Sequence, residues 1–301
     1  MAEREVTATP FQIGTELPRA RQSVFSTRTT TLALLLPALG VTVVFLLLPL
    51  AFLIFISLTK GRTFFSATTT FTLENYASIF TQFLPNLQES LLLALLATGV
   101  DLIFGFPFAY ILIRKVRYRD WVRAFMIFPM FGALYLAFGM YFILLPNGMF
   151  APFIQALNKN GIQIPIYGLQ SVVFAMSIFT FPFMVMNIGA ALSNVDPKLE
   201  EAARCLGAKN WQTFTRVILP LASPGILAGI LMCFGWNVGA FAEPLLLGSV
   251  AEQRAMALTL YNRGIVLFDY GTSATMGVVL MVIAFSVTYF SLRYSRGALV
   301  E

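Results

Sequence analysis

The chain alternates long apolar stretches with short polar connections. Six stretches are each long enough for the roughly 20 helical residues that cross a bilayer. They lie at 31–58, 87–113, 123–145, 168–193, 220–247 and 270–292. Hydrophobic residues make up 58% of the chain and charged residues only 11%, whereas a soluble protein carries about 25% charged residues. The pattern therefore predicts an all-α polytopic membrane protein with six transmembrane helices.

Polar segments divide the predicted topology into four parts. Residues 1–30 are polar, without apolar periodicity, and are expected to form a loose cytoplasmic tail. The first transmembrane helix is placed at 31–60 and a periplasmic loop at 61–86. In that loop, the apolar offsets from Tyr76 predict a short amphipathic helix at the membrane surface. The remaining segment, 87–295, is expected to form the transmembrane core.

The distribution of Lys and Arg predicts the orientation, because cytoplasmic loops of membrane proteins carry an excess of these residues. With the N-terminus inside, fifteen of the 20 basic residues fall on the cytoplasmic side. Those outside are Lys60, Arg62, Lys159, Arg254 and Arg263. Both termini and the polar loop 196–220 are therefore expected in the cytoplasm. The net charge of +6 then reflects topology and does not indicate nucleic-acid binding.

The loop 196–220 has the residues of a helix–turn–helix that projects from the membrane. Asp196 can cap a helix that opens with Pro197, whose missing N–H costs nothing at the first position. Gly207 lies where a left-handed C-terminal cap would fall. Asn210 can cap a second short helix, and Pro220 is expected to stop that helix before the next span.

Part of this loop resembles the coupling motif of bacterial type I ABC importer permeases, on the residues Glu201-Ala202-Ala203, Gly207 and Val217-Ile218-Leu219-Pro220. The resemblance implies that the loop 196–220, here called the coupling loop, docks into a cleft of a cytoplasmic ATPase subunit. The residues implied in docking are Glu201, Ala202, Ala203, Gly207, Leu219 and Pro220. The alternative is an ordinary alanine-rich connecting helix, and the fixed offsets of the motif disfavour it.

The resemblance also implies partners. A dimer of ABC ATPase subunits would carry the ATP and Mg²⁺, so no cofactor and no catalytic residue is expected in this chain. A second permease subunit, expected to be a different chain, would complete the path through the inner membrane. A periplasmic or lipoprotein solute-binding protein would deliver the cargo, and membrane lipid would surround the spans.

Two segments resemble the spermidine/putrescine-type branch of these permeases: Thr72-Leu73-Glu74-Asn75-Tyr76 and 239–248. The second segment keeps the proline and the Leu-Leu/Gly ending of that branch. Its acidic residue, Glu243, stands beside Pro244 and not beside Gly239. A polyamine or another small amine is therefore the expected cargo, and an aminophosphonate, a ferric ion or a sulfate-like anion stays open.

Asp101 stands in the middle of the second predicted span, where a charged side chain costs at least about 2.5 kcal/mol. No Lys or Arg of the chain is expected at its depth. The side chain is therefore expected to face the protein interior, where it is protonated, hydrogen-bonded, paired with another subunit or available to a cationic ligand. A contact between helices and a role in the substrate path both stay open.

The fifth predicted span offers a second set of candidate substrate residues. Trp236, Ala240, Glu243 and Leu247 are expected to share one face of this helix, with Asn237 adjacent. An indole and a carboxylate on one face suit an amine cation, through cation–π and charge attraction. The fourth span contributes Asn187. Helix packing is the alternative for Trp236, and a wet position at the outer interface is the alternative for Glu243.

Composition excludes several classes of function. The chain has no His and no Lys that follows a Gly, which excludes His-based catalysis, His metal sites and a P-loop. No metal site is expected, and Cys205 and Cys233 are expected to stay unpaired. A stand-alone secondary transporter would show paired inverted repeats with broken helices, which are not found. An intramembrane enzyme that uses Ser or Asp is the third class left open.

Overall fold

The computed structural model describes residues 35–37, 40–60, 70–145, 147–160 and 167–297. The expected tail at 1–30 and the first part of the expected outer loop, 61–69, lie outside these residues. The chain divides at Leu50 into two compact units, and the following description concerns the unit that begins at Ala51.

The described residues are almost entirely helical. The helices are α1 (Leu48–Ser57), α2 (Glu74–Thr81), α3 (Leu84–Arg114), α4 (Arg119–Met126), α5 (Ala133–Leu144), α6 (Ala151–Lys159), α7 (Leu169–Asn194), α8 (Pro197–Cys205), α9 (Asn210–Val238), α10 (Ala242–Leu247), α11 (Met256–Tyr261) and α12 (Tyr270–Gly297). A π-helical stretch, Asn262–Val266, extends α11. Two-residue strands, β1 (Thr59–Lys60) and β2 (Thr70–Phe71), pair antiparallel.

Five helices of the described residues are long and apolar enough to cross a membrane: Leu35–Ser57, α3, α7, α9 and the apolar part of α12. The third apolar stretch, 123–145, is broken. Its two helical parts, Asp120–Phe131 and Ala133–Leu144, meet at 89°, and the count reaches six when they form one span. Pro129 and Gly132 lie at the break, and both residue types interrupt helices.

The fifth span differs most from its predicted bounds of 220–247. Helix α9 starts at Asn210, passes through Pro220 and ends at Val238. Pro220 does not stop the helix, because the chain widens into a π-helical stretch at Phe214–Ile218, in which Leu219 N–H donates to Phe214 O. This wider turn accommodates a proline without its N–H. Residues 239–241 then separate α9 from α10.

Helices α3, α7 and α9 form the centre of the protein, with Met184 of α7 fully buried between them. A Cβ atom on Gly105 of α3 would lie 3.0 Å from Met184 Cγ, and one on Gly229 of α9 would lie 2.8 Å from Met184 Sδ. A Cβ atom on Gly225 would collide with Ala191 Cβ. Small residues therefore allow these membrane helices to approach closely.

The predicted amphipathic helix of the outer loop is present as α2, and part of its apolar side packs against the protein. Ile79 and Phe83 are buried against Met256 and Met276. The Asn75 side chain ties α2 to the end of α1, because Nδ2 donates to Ser57 O at 3.0 Å and to Thr59 O at 2.9 Å. Helix α2 is therefore part of the folded core.

Candidate functional site

The coupling loop begins with a capped helix and a left-handed turn, as its sequence predicts. Asp196 Oδ1 accepts a hydrogen bond of 2.9 Å from Lys198 N. Helix α8 ends before Gly207, whose φ is +83°. Gly207 N donates to Arg204 O at 2.9 Å and Ala208 N donates to Ala203 O at 3.0 Å. These two bonds satisfy carbonyl groups at the end of α8, in the pattern that a glycine in this conformation permits.

The second half of the coupling loop is held differently from its predicted form. Asn210 is the first residue of α9 and not its cap. Lys209 precedes the helix, and its N–H donates to Gln212 Oε1 at 2.8 Å. The Trp211 and Phe214 rings stack 5.7 Å apart. Phe214 also meets Phe106 of α3 edge-on at 5.2 Å, which joins this half of the loop to the core.

The residues implied in ATPase docking lie on the surface of the loop. Glu201, Ala202 and Gly207 are exposed, and Ala203 is half-buried. Leu206, beside the turn, has 89% of its surface exposed. Leu219 and Pro220 are exposed too, but they lie on α9, beyond its π-helical stretch. The turn thus presents small residues and one large apolar side chain to the solvent.

Glu200 anchors the coupling loop to the end of α3. Its Oε1 lies 2.9 Å from Arg114 Nε, and its Oε2 accepts from Tyr110 Oη at 3.2 Å. Arg114 Nη2 also donates to Val195 O, at 2.9 Å, at the start of the loop. Both charged side chains are largely buried. The sequence analysis missed these three side chains, and no local pattern marks them, because Tyr110 and Glu200 are 90 positions apart.

A buried polar cluster joins the middle of α3 and α7 to the C-terminal end of α9. Asp101 is completely buried, and its Oδ2 lies 2.6 Å from the hydroxyl of Thr180. Asn237 Nδ2 lies 3.4 Å from both Thr180 Oγ1 and Thr98 Oγ1. Asp101 Oδ1 has no hydrogen-bond partner among the described residues. The structure thus brings together Asp101 and Asn237, two of the five substrate candidates, at a contact between helices.

Trp236 and Asn187 lie on a separate, half-exposed surface of α7 and α9. Trp236 has 53% of its surface exposed, stacks on Phe183 at 6.0 Å and meets Phe179 edge-on at 5.8 Å. Asn187 is half-buried and its Nδ2 donates to Phe183 O at 2.8 Å. An aromatic surface of this kind can hold a cation over an indole face.

Glu243 does not share a helical face with Trp236, and that prediction was wrong. The helix breaks at 239–241, and Glu243 belongs to the separate helix α10. Its side chain is 2% exposed, whereas Trp236 is half exposed. Glu243 is therefore not at a wet outer interface either. The continuous-helix assumption failed because Gly239 follows α9 and ends it.

An apolar cavity of about 410 Å³ lies between α3, α4 and α7. Its only polar side chain, Ser177, donates to Ala97 O at 3.2 Å and is thereby satisfied. Asp101 is not among the lining residues, which are Val100, Phe104, Phe125, Met126, Pro129, Phe174, Ser177, Ile178, Phe181 and Pro182. A hydrophilic solute would find no polar partner there. Within the described residues, no group of three or more Cys, Asp and Glu side chains could hold a metal ion.

Comparison with known proteins places this geometry in a family. Residues 101–298 match the binding-protein-dependent transport system inner membrane component family. The chain is 32% identical over 222 residues to the spermidine/putrescine transport system permease protein PotB of Salmonella typhimurium, covering 70% of this chain and 76% of the relative. It is 28% identical over 204 residues to a probable sulfate transport system permease protein cysT of Marchantia polymorpha, covering 66% and 69%.

The fold is shared with solved transporters. A chain of a bacterial ABC transporter that imports the acidic polysaccharide alginate superposes with a TM-score of 0.65 at 23% identity, covering 88% of this chain and 96% of that chain. The chain belongs to the binding-protein-dependent transport system inner membrane component family, and it is a multi-pass inner-membrane permease subunit of an ABC importer, a transport protein and not an enzyme.

Proposed function

We propose that this chain forms part of the path by which an ATP-driven importer moves a polyamine or another small amine across the inner membrane. The observation that carries the proposal is the likeness to the spermidine/putrescine permease, which extends over most of both chains. The sulfate permease relative is less similar and shorter in its match, so an anionic cargo is the second candidate.

The proposed contact with the amine is the half-exposed surface around Trp236. The indole and two phenyl rings there offer π faces, and Asn187 adds an amide on the same helix pair. Asp101, Asn237 and Glu243 are buried in this conformation. They would act on the cargo only after the helices rearrange during alternating access, and in this conformation Asp101 and Asn237 hold the helices together.

The coupling loop would dock on a cytoplasmic ATPase dimer that carries the ATP and Mg²⁺. The excess of Lys and Arg supports a cytoplasmic position of the loop and of both termini. A second permease subunit, most simply a different chain, would close the path, and a periplasmic or lipoprotein solute-binding protein would deliver the amine. The exposed small residues of the loop support this docking role.

Uptake of labelled spermidine tests the cargo. Cells that lack their own polyamine importers should take up spermidine when the complete transporter is expressed, and excess sulfate should not compete. Trp236→Ala should weaken apparent affinity by about fivefold, since a cation–π contact contributes ~1 kcal/mol, and Trp236→Phe should retain part of it.

Trp121→Ala is the matched control, because Trp121 is also an exposed tryptophan and lies on another helix, α4. It should leave uptake unchanged. Sulfate uptake without spermidine uptake would overturn the amine proposal. Equal affinities in the wild-type protein and the Trp236→Ala variant would remove Trp236 from the path.

A further inference from the structure

We propose that Arg114 and Tyr110 are positioning residues for energy coupling, which hold Glu200 so that the coupling loop and α3 move together. The inference rests on the proposed docking of the coupling loop to an ATPase. It concerns a contact inside this chain, and it can fail while the docking role stands.

Three interactions make up this contact, which is here called the Glu200 latch. The Glu200 carboxylate receives the Arg114 guanidinium on one oxygen and the Tyr110 hydroxyl on the other, at 2.9 Å and 3.2 Å. The same guanidinium donates to Val195 O, one residue before the cap of α8. By distance the Arg114–Glu200 contact is an ion pair, whereas the contacts from Tyr110 Oη to Glu200 Oε2 and from Arg114 Nη2 to Val195 O are hydrogen bonds. The start of the coupling loop is thus held against the last turn of α3.

The order of the helices along the chain explains why α3 needs a contact of its own to follow the coupling loop. The coupling loop is covalently continuous with α7 at one end and with α9 at the other. A displacement of the loop therefore acts directly on those two helices. Helix α3 is not adjacent to the loop in sequence, and the described contacts between them include the Phe106–Phe214 ring pair, apolar packing around Ile218 and the Glu200 latch. Ring contacts allow sliding, whereas a buried ion pair resists separation of its partners.

Helix α3 also carries Asp101, a member of the buried polar cluster. Asp101 lies on α3, thirteen residues before Arg114, and contacts Thr180 of α7. Asn237 of α9 approaches the same hydroxyl. If α3 moves with the loop, these three helices shift as a set. If α3 does not move with the loop, the distance between Asp101 and Thr180 changes instead.

The first test measures coupling in the assembled transporter in nanodiscs, with spermidine-loaded binding protein as the stimulus. Glu200→Gln and Arg114→Gln should keep their ATPase subunits. The ratio of stimulated to basal ATP hydrolysis should fall by about fivefold or more, because coupling between two distant sites typically changes an affinity by at least that factor. The charge swap that combines Arg114→Glu with Glu200→Arg should recover part of the ratio. Arg117→Gln, at an exposed basic residue nearby, should have no effect.

The second test does not depend on the cargo. Spin labels on the exposed Cys205 and on Lys115→Cys report the distance between α8 and the end of α3. In the otherwise unaltered protein, the distribution of spin-label distances should be narrow, and its mean should be the same with and without trapped nucleotide. Glu200→Gln should broaden it, and the charge swap should narrow it again.

The outcomes separate the two proposals. A complex with no ATPase subunits, or with no stimulated hydrolysis before any substitution, contradicts the proposed function. The spin-label distance in the permease still tests the latch in that case. Unchanged stimulation and an unchanged distance in Glu200→Gln overturn the latch alone. Loss of ATPase subunits from Glu200→Gln, without recovery in the charge swap, would show a docking role instead and also overturn it.

Discussion

Single residues determine the shape of the exposed end of the coupling loop. Gly207 has a φ of +83°, and a Cβ atom built on it would meet nothing within 4 Å. The backbone conformation therefore favours glycine, while packing within this chain does not require it. The open space around Gly207 is available to a partner, and any side chain placed there would project into it.

Substitutions at Gly207 separate the turn from the docking surface. Alanine adopts this conformation at a cost of about 1 kcal/mol, whereas asparagine adopts it more readily although it is larger. We expect retained ATPase to fall in the order glycine, alanine, asparagine, aspartate, because the side chain enters the partner's cleft. Co-purified ATPase per permease in detergent is the measurement. If asparagine retains more ATPase than alanine, the turn alone matters, and full retention by Gly207→Asp would contradict docking here.

The cap residues could be predicted from the sequence, whereas the Glu200 latch could not. Asp196 and Gly207 act through hydrogen bonds that span at most five residues, so their effect is visible in the local sequence. Glu200 meets partners on another helix, and which of two adjacent glutamates turns inward depends on how α8 packs. Glu201, which carries the motif, is the one that is exposed.

At the level of helices, close packing of α7 against α9 depends on glycines of α9 that face α7. Gly225 lies against Ala191 and Asn187 O, while Gly235 of the same helix has room for a Cβ atom, 3.9 Å from Val287 Cγ1. The apolar stretches predicted these helices well. They could not predict the breaks at 239–241 and near Gly132, because hydropathy does not register a change of helix direction. The substrate face drawn across 239–241 failed for that reason.

Alanine should have opposite effects at Gly225 and Gly235 of α9. Gly225→Ala should lower the melting temperature of the purified protein, because overpacking costs about 1–3 kcal/mol and exceeds the helix propensity gained. Gly235→Ala should leave it unchanged or raise it, since alanine is better than glycine in a helix by up to ~1 kcal/mol. Thermal unfolding in detergent compares the pair. Equal melting temperatures of the two variants would show that α7 and α9 can move apart to admit the methyl group without a loss of stability.

In the protein as a whole, two separate contacts join the same three helices. The coupling loop lies at the ends of α7 and α9 and touches the end of α3. The buried cluster of Asp101, Thr180 and Asn237 joins the same three helices farther along their length. ATP hydrolysis by a docked ATPase can affect both contacts only if the coupling loop faces the cytoplasm.

The two native cysteines make the orientation testable with little alteration. Cys205 is exposed in the coupling loop, and Cys233 is buried in the bundle and serves as an internal control that should not react. In intact cells, a membrane-impermeant maleimide should fail to label Cys205, and it should label it in inside-out vesicles. Val250 is 76% exposed in the segment after α10, so Val250→Cys combined with Cys205→Ser should show the reverse pattern. Labelling of Cys205 from outside intact cells would invert the topology and remove the coupling loop from the reach of any cytoplasmic ATPase.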